Sequence, residues 1–295
     1  MSSSQIKHNE KLLFPISGIT KGNLIDYYNS VAGHMLPYLK DRPLTLHRFP
    51  NGIAEEGFFQ KNASDYFPQW IKTVKVKKKD GWVNHVICNN KETLAYLAYQ
   101  GTITFHISLS KIDKLDYPDR LIFDLDPSGH NFGQVLKGVQ ILRGLLAEQL
   151  GLPAYVMTTG SKGLHLVIPL MRVEHFDEVR DFAKKVATYL AEKHPEDFTI
   201  AIHKDERKGR LFLDYLRNSY GQTTVCPFSV RALENAPVAA PIFWKELYEI
   251  NDSQAFNIHT VPKRLKHMND PWENFTKNAV MLSDAKKSME KLISG

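Results

Sequence analysis

Two aspartates two residues apart, Asp124 and Asp126, follow a short apolar run in Arg120-Leu121-Ile122-Phe123-Asp124-Leu125-Asp126-Pro127-Ser128-Gly129. On a strand, residues i and i+2 project from the same face. Both carboxylates are therefore expected to point together beyond the sheet edge, with Pro127 and Gly129 turning the chain. Two carboxylates held so close repel, and burying them unpaired is costly. A divalent cation relieves both costs, and oxygen-only donors suit Mg2+ or Mn2+ rather than zinc. An isolated Asp-x-Asp reads equally well as a solvated turn, so the metal reading leans on two later stretches.

The first is Thr158-Thr159-Gly160-Ser161-Lys162-Gly163-Leu164-His165, which lies between two strand patterns. Backbone N–H groups, hydroxyls and a lysine in such a loop make an anion cradle; the alternative is an ordinary Gly-rich hairpin. The spacing is not that of a Walker A loop. The second is Leu211-Phe212-Leu213-Asp214, again an apolar strand running into an acid, followed by Arg217 and, across a Gly221-Gln222 turn, Arg231. It is preceded by the basic residues Lys204, Arg207, Lys208 and Arg210. A third sign of chemistry is Phe58-Phe59-Gln60-Lys61, an aromatic pair beside a cation. On a strand only one of these rings faces the core, and the other is available to stack a base while Lys61 holds a phosphate. Burial of both rings by a loop has equal standing.

Local signals supply the elements that must position these residues. Thr20 caps a helix over 22–39, with Leu24, Tyr27, Val31, Met35 and Tyr38 on one face. Leu44 to Phe49 alternates as a strand. The strands 70–76 and 82–88 are joined by Lys77-Lys78-Lys79-Asp80-Gly81, a hairpin with a solvated basic rim. Asn90 caps a helix to Tyr99, ended by Gly101, and Thr102 to Leu109 is a strand containing His106. Helical spacing recurs over 132–150, 176–190 and 279–292, with strands at 154–159 and on to Pro169. Residues 1–19 read as an arm, and Trp244 and Trp272 as packing residues.

Composition sets bounds. The 295 residues, with 43% apolar and 24% charged, suit a globular protein with a sizeable core. There is no run of about 18 apolar residues and no apolar leader at the start, which gives no membrane partner and points to the cytoplasm. Two distant cysteines exclude a disulfide framework and a Cys-type zinc site. The net charge of +6 favours a polyanionic partner.

Taken in order, Phe123-Asp124-Leu125-Asp126-Pro127, Thr159-Gly160-Ser161-Lys162-Gly163-Leu164-His165 and Leu213-Asp214-Tyr215-Leu216-Arg217-Asn218 resemble the archaeo-eukaryotic primase superfamily. Within it the chain is most similar to the polymerase domain of bacterial and archaeal ligase D, the end-joining repair enzyme. Arg42-Pro43-Leu44-Thr45, Gly57-Phe58-Phe59-Gln60-Lys61-Asn62, Thr223-Thr224-Val225 with Pro227, Ser229-Val230-Arg231 and Asp270-Pro271-Trp272 also match. The resemblance implies an α+β fold with an RRM-like catalytic module beside a second αβ module. It reads 1–295 as one catalytic domain: an N-terminal αβ part at about 20–110, a metal and nucleotide core at about 111–235 and a C-terminal part at about 236–295.

The same resemblance makes Asp124, Asp126 and Asp214 the catalytic metal ligands for two ions, Mn2+ or Mg2+. It places His106, Thr159, Ser161, Lys162, Gly163, His165, Arg217 and Arg231 at the incoming NTP or dNTP, Thr159 near the ribose. Lys21, His47, Arg48, Phe58, Phe59 and Lys61 fall where such proteins grip DNA, above all a downstream 5′-phosphate at an end or gap. Three departures stand out. His47 replaces a frequent lysine, which makes the phosphate grip weaker or pH-dependent. Thr104-Phe105-His106-Ile107-Ser108 replaces a Glu-x-His-Pro-Trp setting, and Thr159 replaces a serine while keeping the hydroxyl. The implied activity is nucleotide addition to DNA ends, ribonucleotides preferred, in double-strand break repair close to the nucleoid. Ku and a separately encoded ligase are the implied partners. Two alternatives are a haloacid-dehalogenase-type phosphatase, whose motif usually reads Asp-x-Asp-Gly-Thr, and a non-catalytic DNA-end binder.

Overall fold

The computed structural model describes residues 9–129 and 131–295; the start of the expected N-terminal arm lies outside the described residues. The chain forms two compact units. The first takes the chain up to Asp113, then Thr223–Ala240 and Phe256–Asp270; the second takes Lys114–Gln222, Pro241–Ala255 and Pro271–Gly295. The stretch expected as one C-terminal part is thus shared between both units.

The first unit begins with an antiparallel pair, β1 (Leu12–Phe14) and β2 (Ile19–Thr20). Thr20 then caps helix α1 (Lys21–Leu39) in a capping box: its hydroxyl accepts the Asn23 N–H, and the Asn23 side chain accepts the Thr20 N–H. The expected apolar face of α1 is buried. Strand β3 (Leu44–Arg48) pairs with β4 (Phe58–Gln60), while β5 (Thr73–Lys78) and β6 (Gly81–Val86) form a separate hairpin. Gly81 takes φ +110°, a conformation that favours glycine at this turn. Asn90 caps α2 (Lys91–Tyr99) by accepting the Thr93 N–H, and β7 (Thr102–Ser108) pairs with β3.

The second unit carries β8 (Arg120–Asp126), α3 (Phe132–Gly144) running into a π turn at Leu145–Gln149, β9 (Tyr155–Thr158) and β10 (Leu164–Pro169). There follow α4 (Phe176–Lys193), β11 (Phe198–Thr199) and β12 (Leu211–Asp214). Next, β13 (Thr223–Val225) returns to the first unit and completes its sheet in the order β13-β7-β3-β4. Then β14 (Pro241–Ile242) joins the second unit's mixed sheet, ordered β11-β12-β8-β10-β9-β14. Helices α5 (Thr260–Leu265) and α6 (Ser283–Ser294) belong to the first and second units respectively.

Strand β8 is the spine of that six-stranded sheet. It is paired on both sides, and Leu121, Ile122, Phe123 and Leu125 are buried on both its faces. Gly138 of α3 lets the helix lie directly on Leu211 and Phe198, because a Cβ there would drive into the Leu211 side chain. Trp244 and Trp272 donate their indole N–H groups to Ala154 O and Val156 O, which fixes them as packing residues around β9. One expectation is corrected. The carboxylates do not project beyond a strand end; β8 runs through Asp126 because β10 and β12 keep pairing with it there, and Pro127 stops it one residue later.

Candidate active site

Asp124 stands in the middle of a row. The register sets it opposite Asp214 of β12 on one side and His165 of β10 on the other. Two acids and an imidazole therefore lie side by side across three strands, on one face of the sheet. Asp126, two residues along β8, shares that face. His165 Nε2 lies 3.4 Å from Asp124 Oδ1. The Arg217 Nε lies 3.4 Å from Asp124 Oδ2 and 3.3 Å from Asp214 Oδ2, so one guanidinium spans the two acids.

The arginine reaches that place because the chain turns immediately after β12. Asp214 Oδ1 accepts the Leu216 N–H at 2.9 Å and starts a 3-10 turn at Leu216–Asn218. The departing chain leaves Ile122 of β8 without a neighbour on the β12 side, and the Asn218 carboxamide takes over there. Its Oδ1 accepts the Ile122 N–H at 2.8 Å, and its Nδ2 donates to Ile122 O at 2.7 Å and to Tyr215 O at 3.0 Å. Asn218 is wholly buried and clamps the turn that bears Arg217 to the strand that bears the acids. In the sequence it stood only as the last letter of a motif; the signal was a polar residue closing an apolar strand's exit.

Charge is concentrated here at a cost. The charge of Asp124, with burial second, pushes Asp126 up to about 6. Burial and then Asp124 raise Asp214 as well. Burial pulls the Arg217 guanidinium down, but Asp124, Asp214 and Asp126 together raise it on balance. Mutually repelling carboxylates, hard oxygen donors only, and a cationic side chain already set between two of them fit a divalent cation site. Among the described residues no group of three acidic, imidazole or thiol side chains is closed up as a ready metal shell. Arg217 spans the gap that such a closure has to cross.

The glycine loop between β9 and β10 borders this row. Gly163 packs onto the backbone of β8, where a Cβ would run into Leu125 O and come 3.2 Å from Asp126 Oδ1. No other residue fits this close approach. Thr159 is buried, and its hydroxyl bonds back to Gly163 O at 3.0 Å and accepts the N–H groups of Ser161 and Gly163 at 3.3 Å each. Lys162 at the tip is exposed. The structure thus brings Asp124, Asp126, Asp214, Thr159, Ser161, Lys162, Gly163, His165 and Arg217 into one unit, whereas His106 and Arg231 belong to the first.

In the first unit, His47 and Phe59 are direct cross-strand partners and stack with ring centroids 4.0 Å apart and planes at 9°; His106 meets Phe59 edge-on at 5.7 Å. Phe59 is 60% exposed and Phe58 47%, so neither ring faces the core, contrary to the expectation that one would. Lys61 beside them is exposed. Burial, helped by the positive charge of Arg231, lowers His47 to about 4. His47 is therefore neutral through the physiological range and stacks on Phe59, which agrees with the weaker of the two expected phosphate grips and not with the pH-dependent one. Lys21 is buried, 5.1 Å over the Tyr99 ring, and burial lowers its pKa. Arg48, expected to face DNA, turns inward: its guanidinium donates to Gln100 O, Gln60 Oε1 and the Tyr66 hydroxyl and covers the Phe58 ring.

Known proteins carry the same arrangement of sequence and fold. The LigD primase-polymerase domain family matches residues 20–272. The multifunctional non-homologous end joining protein LigD of Pseudomonas aeruginosa is 34% identical over 284 residues, 95% of this chain and 34% of that protein. The bifunctional LigD of Bacillus subtilis is 34% identical over 271 residues, 91% of this chain and 43% of that protein. The chain therefore spans about a third to two-fifths of the length of these relatives. Among solved structures, the polymerase domain of Mycobacterium tuberculosis ligase D in complex with DNA superimposes with a TM-score of 0.86 at 31% identity, covering 92% of this chain and 98% of that one. A haloacid-dehalogenase phosphatase is excluded by this likeness. With three acids on neighbouring strands, a glycine loop beside them and sequence likeness over nearly the whole chain, this protein belongs to the LigD primase-polymerase domain family, metal-dependent nucleotidyltransferases with the archaeo-eukaryotic primase fold.

Proposed function

We propose that the chain adds nucleotides, ribonucleotides in preference, to the 3′ ends of DNA at breaks and gaps that carry a downstream 5′-phosphate. The row Asp214, Asp124, His165, with Asp126 beside it, carries this reading. Asp124 and Asp126 would hold two divalent ions, Mn2+ better than Mg2+, with Asp214 completing one of them. Such ions, when bound, lower the pKa of a primer 3′-hydroxyl and offset charge on the departing pyrophosphate. The chain's own residues do the rest. Lys162 and His165 would bind triphosphate oxygens, and Thr159 would meet the sugar. Arg217 exchanges its carboxylate partners for phosphate, which suits its planar fork of donors. Arg231 and His106, on the first unit, are assigned to the nucleotide by the family resemblance. Phe59 with His47 supplies a flat surface for a base, and Lys61 and Lys21 supply positive charge for a 5′-phosphate.

The repair setting is proposed from the relatives, which are named as end-joining proteins. A Ku-like end binder and a separately encoded ligase would act with this chain near the nucleoid. Among the described residues no helix is long and apolar enough to cross a membrane. The decisive experiment supplies the purified protein with Mn2+, a primed gapped duplex with a 5′-phosphate, and NTPs. Primer extension is expected, and Asp124→Ala is expected to abolish it. A wild-type protein that extends nothing, or an Asp124→Ala protein that extends as well, defeats the proposal.

A further inference from the structure

Strand β7 holds more than its two strand neighbours. After Val225 pairs with His106, the chain of β13 leaves the ladder: Pro227 has no N–H to continue it, and Phe228 takes φ +67°, a left-handed conformation uncommon for a bulky side chain. The Ser229 N–H closes this turn by donating to Cys226 O at 3.0 Å, and the segment runs on to Arg231. Its backbone stays beside β7, and hydroxyl groups replace the missing ladder. The Phe105 N–H donates to Ser229 Oγ at 2.8 Å, and the Thr104 hydroxyl donates to Val230 O at 2.7 Å. Val230 O receives a second, longer contact from Ser229 Oγ at 3.3 Å. From helix α1 the Tyr28 hydroxyl accepts the Val230 N–H at 3.0 Å while donating to Ile103 O, and the Tyr27 hydroxyl donates to Phe228 O at 2.8 Å. Tyr27, Tyr28, Thr104 and Ser229 are all buried.

The peptide between Val230 and Arg231 is planar, so holding its two polar ends fixes its orientation. Thr104 holds the carbonyl, and the N–H donates to Pro237 O at 2.7 Å. The direction in which the Arg231 side chain sets out is fixed with it. Thr104 also lies opposite His47 in the β7–β3 register, and the charge of Arg231 is felt at His47. We propose that Thr104 is a positioning residue for Arg231, its hydroxyl setting the peptide from which the guanidinium reaches a nucleotide's phosphates. A carboxylate at this position, as in the Glu-x-His-Pro-Trp setting, has no proton to give Val230 O, so the brace belongs to this chain's own sequence. The inference rests on the proposed assignment of Arg231 to the nucleotide.

The test measures kcat and KM for a matched NTP on one primed gapped duplex with Mn2+. Thr104→Val keeps the shape of the side chain and loses the donor; Ser229 still reaches Val230 O, and the thermal midpoint reports that the variant is folded. KM is expected to rise roughly three- to tenfold with kcat altered much less. Thr104→Ser, which keeps the hydroxyl, is expected to restore KM. In an Arg231→Ala background Thr104→Val is expected to change KM by less than about twofold, since its effect passes through the arginine. Tyr28→Phe, which takes the acceptor from the Val230 N–H, is expected to raise KM in the same direction and serves if Thr104→Val does not fold. An unchanged KM, a loss that Thr104→Ser does not restore, or an equal rise with and without Arg231 overturns the role of Thr104 while the polymerase reading stands. If Arg231→Ala alone leaves KM unchanged, the assignment of Arg231 to the nucleotide falls and the proposal with it. A wild-type protein that extends nothing overturns the polymerase reading itself.

Discussion

Asp126 keeps its proton up to about pH 6 in the folded chain, chiefly because Asp124 lies beside it, whereas its unfolded counterpart ionises near 3.8. Between those values the native state binds more protons than the unfolded one, so this group makes the metal-free protein less stable as pH rises through the window. The stability forgone at neutral pH is returned when a cation binds, and below about pH 6 the cation must displace that proton. Two outcomes follow at pH 7.5. Asp126→Asn, which removes the repulsion, should raise the thermal midpoint of the metal-free protein by roughly 2–4 °C. The midpoint gain that Mn2+ confers on the wild type should shrink steadily as the buffer is taken from pH 7.5 to 5. Scanning calorimetry checks both, and a lowered midpoint for Asp126→Asn would count against the repulsion described here.

Elements differ in how openly the sequence announced them. Helix α1, helix α2 and the β5–β6 hairpin were legible because their signals are local: a capping threonine, a capping asparagine and an Asp-Gly turn act on residues next to them in the chain. The length of β8 was not legible, since pairing from β10 and β12, well removed in sequence, carries it through both acids. The three acids themselves were found from their types and strand ends, but their alignment with His165 depends on register, which is a tertiary quantity. Asn218 was hidden for the same reason, as its partner Ile122 lies 96 residues away. Replacing it tests how far one buried amide holds two elements together. Asn218→Ala leaves the Ile122 N–H and carbonyl buried without their partner and should lower unfolding free energy by about 2–3 kcal/mol in urea titration. A loss below ~0.5 kcal/mol would mean that the turn after β12 is held by other contacts.

At the scale of the whole molecule, the net charge of +6 and the exposed Phe59 with Lys61 predict DNA binding whose affinity declines as salt is raised. Because His47 loses its proton only near pH 4, that affinity should be unaffected by His47 between pH 6 and 8, and His47→Lys should strengthen binding to a 5′-phosphorylated gap over an unphosphorylated one. Fluorescence anisotropy on the two duplexes reads this directly; equal gains on both would show a general charge effect. The division of the chain was the least legible feature, because composition does not change where the chain passes from one unit to the other at Asp113, Gln222, Ala240, Ala255 and Asp270. That interleaving has a consequence in time. Ser253, whose hydroxyl ties the glycine loop by donating to Gly163 O, is made 90 residues after Gly163. At typical elongation rates this is roughly 5–20 s of synthesis. A nascent chain thus possesses its acids before the last fastening of the glycine loop beside them, so the loop is locked in place late on the ribosome.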